Sequence, residues 1–278
     1  MPNYYAHLSL GAQVLSQLPQ ELSLLLNRER SAFDLGCLGP DPLFFYRPTL
    51  PNPVRREGVA MHARSALPVF GRLREAVEEG APMSAGYAAG FLCHLALDSA
   101  CHGWIDRRAA EGTVTHLAME AEFDRLLMER DGLVSLGHSY LPPMPSGEVF
   151  AAAARAYQHT SPRQLEEGYR SMRRDTALFA RLSGHRLSRP ANRAVGALPG
   201  LKALQGIFLT ADSHDAYAES NEYLTRQLAA TVEAAAKQTQ RFFQAAESGA
   251  PLDPWLDRDF KGTRLSEGAG GLPQSAPA

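Results

Sequence analysis

The chain has 278 residues, 45% of them hydrophobic and 21% charged. That composition suits one to two globular domains and excludes a disordered or fibrous chain. A formal net charge of −2 argues against a strongly basic nucleic-acid binder.

Three cysteines, Cys37, Cys93 and Cys101, are too few and odd in number for a disulfide framework and suit a reducing compartment. The first residues, MPNYYAHLSLG, lack a basic region followed by an apolar run. No signal peptide is therefore expected, and a cytoplasmic location is. The nearest approach to a membrane span, residues 84–104, contains His94, Asp98 and His102, so no transmembrane segment is expected either.

Helical spacing dominates in chain order. Leucines three and four apart predict helix over residues 8–28, split in two by Pro19. Residues 34–58 are rich in Gly and Pro and read as a long loop, a type of segment that often carries function. A helix is predicted over 61–79, opened by His62, with a kink at Pro68 and an end at Gly80. Ser84 reads as the cap of a long helix to residue 108, apolar all round as a buried helix is. Thr113 reads as the cap of the next, to residue 130. A second loop covers 133–147. Helices follow over 148–157, 162–182, 194–208 and 213–247. The run of Gly, Pro, Ser and Ala from Gly249 predicts a disordered tail. No alternation marks a strand and no repeat is present. The expected class is all-α, a single-domain multi-helix bundle over 1–248 with a tail over 249–278.

Chemistry concentrates in the first half. Five of the nine histidines, His7, His62, His94, His102 and His116, precede residue 117. A lone histidine on an apolar face is more often a satisfied core residue than a ligand, so spacing must carry the argument. His94, Asp98 and His102 stand at i, i+4 and i+8 and share one helix face. His94 and His102 are about 12 Å apart along the axis, too far to share one zinc ion with bonds of about 2 Å. A metal-binding stripe here serves at least two ions, and Asp98 can bridge them. His116 and Glu120 are again i and i+4, with His102 available as a third ligand. Three protein ligands and an open position make a catalytic zinc arrangement. Asp98 sits among Phe91, Leu92, Leu95 and Leu97, where an unpaired carboxylate costs several kcal/mol. A metal ion offsets that cost, although a solvated helix face does so too. Asp41, in Gly39-Pro40-Asp41-Pro42, and His62 are unremarkable when taken singly.

Taken together, the stretches YAHLSLG, FDLGCLGPDPLFFYRP, GVAMHARSALPVF and GFLCHLALDSACH, with the H-x3-E that follows, resemble the zinc-dependent phospholipase C family. The order H…GPD…H…H-x3-D…H-x13-H-x3-E is supplied by His7, Asp41, His62, His94, Asp98, His102, His116 and Glu120. The resemblance covers residues 1 to about 130. It implies an all-α fold and two or three zinc ions. His62, His94 and Asp98 would hold one, with Asp41 as a further ligand or as the base. His102, His116 and Glu120 would hold a second, and His7 with Asp98 a third. In secreted members an N-terminal Trp completes the third site; no such Trp is present here.

The implied activity is hydrolysis of a phosphoric ester, a phosphodiester or phospholipid, by a metal-bound hydroxide, with Asp41 orienting or deprotonating the water. Phe44, Phe45 and Tyr46 can line the mouth of the site or anchor the loop in the core. Three other readings stand beside this one. A helical scaffold can retain zinc without turnover. Nucleases share the fold, although the charge gives no strong nucleic-acid signal. The doublet His214-Asp215 is the seed of HD phosphohydrolases, but an N-cap explains it as well. Oligomeric state is not written in the sequence.

Overall fold

The structure, a computed structural model, describes residues 4–184, 188–197, 205–206, 208–209 and 215–265. The described residues contain eleven α-helices: α1 (Tyr4–Gln17), α2 (Gln20–Arg28), α3 (Arg30–Cys37), α4 (Pro53–His62), α5 (Leu67–Glu78), α6 (Ser84–Ala110), α7 (His116–Arg130), α8 (Gly147–Ala154), α9 (Pro162–Leu182), α10 (Ser188–Ala197) and α11 (Ala218–Ser248). A 3-10 turn spans Asp41–Phe45. The only β feature among the described residues is an isolated bridge between Arg258 and Arg264. The class is all-α.

The central helix is α6. Every residue from Gly86 to Asp98 is buried, so its apolar residues face neighbours on all sides. Those neighbours are α1, α2, α3, α5, α7, α8 and α11. The closest of them, α3, meets α6 backbone to backbone. A Cβ on Gly90 would lie 2.1 Å from the carbonyl oxygen of Phe33, and one on Gly36 would lie 2.3 Å from that of Tyr87. Only glycine permits that approach, and it brings the end of α3 against His94.

Pro19 separates α1 from α2, as expected from its missing N–H. The region read as a loop over 34–58 is more structured than expected: it holds the end of α3, the 3-10 turn and the start of α4. Gly36 looks like a breaker in sequence but is the close-approach residue of a helix that buries Ala32, Phe33, Leu35 and Cys37. Asn52 starts α4 by accepting from the Arg55 N–H, with Pro53 in the first turn. The helix predicted over 61–79 is two helices, and His62 closes the first rather than opening the second. Pro68 lies in the first turn of α5 and makes no kink.

Two caps also differ. Met83, at φ 65°, precedes α6, and the Ser84 hydroxyl is buried without a hydrogen-bond partner. Thr115, not Thr113, caps α7 by accepting from the Ala118 N–H. Further on, α10 starts earlier than the helix predicted over 194–208 and covers only its first four residues; Gln205 and Gly206 form a turn, Phe208 a bend, and the rest lies outside the described residues. The start predicted at 213 for the last helix also lies outside them.

The ordered structure runs past residue 248. Residues 250–265, expected as disordered tail, fold back over α5 and α6, and Phe260 is fully buried. Residues 266–278 lie outside the described residues.

The glycine contact yields a test. Gly90→Ala gains helix propensity, yet its methyl collides with a backbone carbonyl. A net loss of about 1–3 kcal/mol in urea unfolding is expected, and unchanged stability would show that α3 can withdraw freely.

Candidate metal centre

All eight candidate side chains converge beside the middle of α6. Their ligand atoms form three groups, each with its members within 4.8 Å of one another: His7, His94 and Asp98; Asp41, His62 and His94; and His102, His116 and Glu120. The groups differ in two ways from the sets the family resemblance implies. His94 belongs to two of them, and His62 groups with Asp41 more closely than with Asp98.

Asp98 stands at the centre. Its Oδ1 lies 3.2 Å from His7 Nε2 and 3.3 Å from His102 Nε2. Its Oδ2 lies 3.2 Å from His94 Nε2 and 3.9 Å from His62 Nε2. At the far end, Glu120 Oε1 is 3.0 Å from His116 Nε2 and 3.3 Å from His102 Nε2. Asp41 Oδ1 is 3.7 Å from His62 Nε2. Helix spacing explains the row on α6 and the pair on α7, since residues four apart stack on one face.

Three of the imidazoles are aimed by contacts at their other ring nitrogen. The Cys37 carbonyl, at the end of α3, lies 3.1 Å from His94 Nδ1. The Gly58 carbonyl lies 2.8 Å from His62 Nδ1, and Asp106 Oδ1 lies 2.9 Å from His116 Nδ1. In each case the second ring nitrogen is engaged and Nε2 is turned inward, the arrangement that orients metal-binding histidines. Gly39, at φ +53°, lets the Pro40-Asp41-Pro42 turn lie against His94: a Cβ there would sit 2.3 Å from the imidazole.

Sequence reasoning missed four contributors. Asp124, one turn beyond Glu120, accepts from the Tyr5 and Ala6 N–H groups at 3.0 and 2.9 Å and so fixes the start of α1 that carries His7. Asp106, Phe260 and Lys261 also border the site. The i, i+4 spacing from Glu120 to Asp124 was available in the sequence; the contacts of the carboxy-terminal residues were not.

The loop aromatics divide. Phe44 packs on His62 with centroids 5.2 Å apart, whereas Tyr46 is buried in the core and Phe45 packs against it. Trp104 stacks on Tyr223 at 4.3 Å, joining α6 to α11. The three cysteines are buried. His138 and His159 lie outside the groups, and His185 and His214 lie outside the described residues.

The donor set fits divalent cations. Asp41, Asp98 and Glu120 are all buried, and their ion-pair contacts above are all with imidazoles. His94 Nε2 and His7 Nδ1 are buried with no hydrogen-bond partner. The first lies 3.2 Å from Asp98 without aligning to it, as donors do when they aim at a common third point. Buried polar atoms left unpaired call for such an explanation. Imidazole and carboxylate donors together suit zinc.

The charges act on one another strongly. Burial opposes the charged form of Asp98, but the charges of His102 and His94 and the hydrogen bond from His7 outweigh it and hold the carboxyl well below its usual range. Glu120 is held down likewise against burial, by His116 and His102. Burial pushes Asp41 up to about 7 and His62 down to about 4. His102 goes the other way: the Asp98 charge and the hydrogen bond to Glu120 overcome burial and raise it to about 10.

The centre has a closed end and an open end. The side chains of His7, His94 and Asp98 are at most 4% exposed, while His116 is 31% exposed. A cleft of about 600 Å³, lined by Thr113, Val114, Thr115 and Tyr217 among others, opens beside His116.

A zinc-dependent phospholipase C family profile matches residues 6–175. This is more than half of the chain, and the chain belongs to that family. The match contains all eight converging residues and ends within α9. Neither the curated proteins nor the solved structures provide a match. No helix among the described residues is long and apolar enough to cross a membrane.

The raised His102 predicts how the metal-free protein responds to alkali. Between its ordinary value of 6.5 and about 10, the folded state holds a proton that the unfolded state has lost. Stability therefore falls as pH rises through that window, by at most about 1.4 kcal/mol per pH unit; His116 shifts in the same direction. The urea midpoint of chelator-treated protein is expected to drop between pH 7 and about 8, below the ordinary cysteine range. His102→Gln should reduce that slope, and a flat or rising midpoint in the parent protein would contradict the assignment.

Proposed function

We propose that this chain is a zinc-dependent phosphoric ester hydrolase, a phospholipase C-like phosphodiesterase. The observation that carries the reading is Asp98, buried with four imidazole Nε2 atoms within 3.9 Å in a chain of the zinc-dependent phospholipase C family. In this reading Asp41, His62 and His94 would hold one zinc ion and His102, His116 and Glu120 would hold a second. His7 and Asp98 would hold a third, because the only free ring nitrogen of His94 is already used in the first set. Bound zinc supplies positive charge to the phosphate oxygens and lowers the pKa of a water molecule near it.

The chain's own residues do the rest. The imidazoles keep Nε2 directed inward because Cys37, Gly58 and Asp106 hold the opposite ring nitrogens of His94, His62 and His116. Phe44 and Phe260 lie on the His62 ring and exclude bulk water from that side. Asp41 is fixed by the prolines on both sides. Its carboxylate accepts a proton from the attacking water, and that proton leaves with the departing alcohol. The products are an alcohol and a phosphomonoester. The cleft beside His116 receives the ester from the open end of the centre. The absence of thiols from the donor set favours this reading over a structural zinc site, which is usually closed by Cys and His.

The test uses a chromogenic phosphodiester and phospholipid vesicles, with protein reloaded with zinc after chelation. Hydrolysis is expected only in the reloaded protein. Asp41→Asn should lower kcat by about 100-fold or more while leaving the folded protein intact. Reloaded protein that cleaves neither substrate class, or an Asp41→Asn variant with full activity, would overturn the assignment.

A further inference from the structure

The family match ends at residue 175, yet a segment more than eighty residues later closes on the metal centre. Residues 257–262 (Asp-Arg-Asp-Phe-Lys-Gly) touch both of its sides. On one side, the Ser65 hydroxyl donates to Asp257 Oδ1 at 2.6 Å, and the Ala66 N–H donates to the Arg258 carbonyl at 2.9 Å. The Phe260 N–H donates to the His62 carbonyl at 3.3 Å, and its ring lies 4.7 Å from that of His62 and 5.7 Å from that of His94. On the other side, Lys261 Nζ lies 2.5 Å from Asp106 Oδ2, and Asp106 Oδ1 lies 2.9 Å from His116 Nδ1.

The turn between the two sides is built for this position. Asp259 Oδ1 accepts from the Lys261 and Thr263 N–H groups at 2.9 and 2.8 Å. Gly262 takes φ +82°, and a Cβ there would lie 2.4 Å from the Ser99 carbonyl. Only glycine lets the strap press so closely on α6, one residue past Asp98.

We propose that residues 257–262 form a strap that holds the metal centre in register, with Lys261 acting through Asp106 as a positioning pair for His116. The Asp106 carboxylate has two oxygens and two duties: one orients the imidazole, and the other is held by the ammonium. Without Lys261 the carboxylate, itself partly exposed, can rotate away and release His116 from its inward aim. Groups that orient metal ligands in this way typically change metal affinity by about 10- to 100-fold when removed. This inference rests on the reading of His116 as a zinc ligand.

Zinc loss to excess chelator, followed colorimetrically on the full-length zinc-loaded protein, tests it. Lys261→Met and Asp106→Asn are each expected to speed the release of about one equivalent by about tenfold or more, and Lys261→Arg should restore slow release. The double variant should be no faster than Asp106→Asn alone, because Lys261 acts through that carboxylate. Thermal unfolding of each variant identifies one that has lost its fold, in which case the conservative Lys261→Gln takes its place. Release at the parent rate from Lys261→Met, or an equal acceleration in the Asp106→Asn background, would overturn the proposal. Parent protein that binds no zinc at all would instead overturn the reading of the site.

Discussion

A carboxylate buried among four imidazoles is the constraint on which the rest of the molecule depends. Asp98 lies halfway along a helix whose residues from Gly86 to Asp98 are all buried, where an uncompensated charge is costly. The chain answers by bringing imidazoles from two other helices, and from α6 itself, onto the same spot: His7 from α1, His62 from the end of α4, and His94 and His102 from α6. Each framework feature that looks idiosyncratic serves that convergence. The glycine contact of α3 with α6 delivers a carbonyl to His94. The left-handed Gly39 lets the Asp41 turn pass the same ring. Asp124 grips the first turn of α1.

The arrangement separates holding from access. One end, at His7 and His94, is sealed by stacked rings 4.2 Å apart and by apolar neighbours. The other, at His116, reaches a cleft. This keeps the shared carboxylate dry, where electrostatic interactions are strong, and, in the proposed function, leaves the His116 end open to a substrate. The close packing also explains why the charges are so strongly perturbed: protons held on His102 and His116 offset the buried carboxylates.

Much of this was legible in the sequence because helical geometry is local. The spacing His94, Asp98, His102 and the spacing His116, Glu120 each define one face, and the distance between His94 and His102 already implied that a metal-binding stripe would serve more than one ion. The all-α class followed from the same periodicity. What could not be read was whatever depends on contacts between distant segments. Gly36 and the prolines around Asp41 look like loop residues, although α3 and the 3-10 turn are ordered by their packing. His62 was placed at the wrong end of its helix because the start of α4 lies in Asn52-Pro53, inside a stretch dense in Pro and Gly. Residues 250–265 have no periodicity, and their order comes from Phe260, Asp259 and Gly262 meeting groups far away in the chain. Asp106 is an ordinary surface acid until Lys261 and His116 are seen on either side of it.

The central claim is that this cluster exists to hold cations, and the metal content of the protein tests it most directly. Elemental analysis of protein purified without chelator and without a histidine-rich tag should give two or three zinc ions per chain, and Asp98→Asn should retain fewer. Protein that carries no metal and takes up none when zinc is added near neutral pH would contradict the account. The imidazoles and carboxylates would then be a buried hydrogen-bond network and not a metal centre.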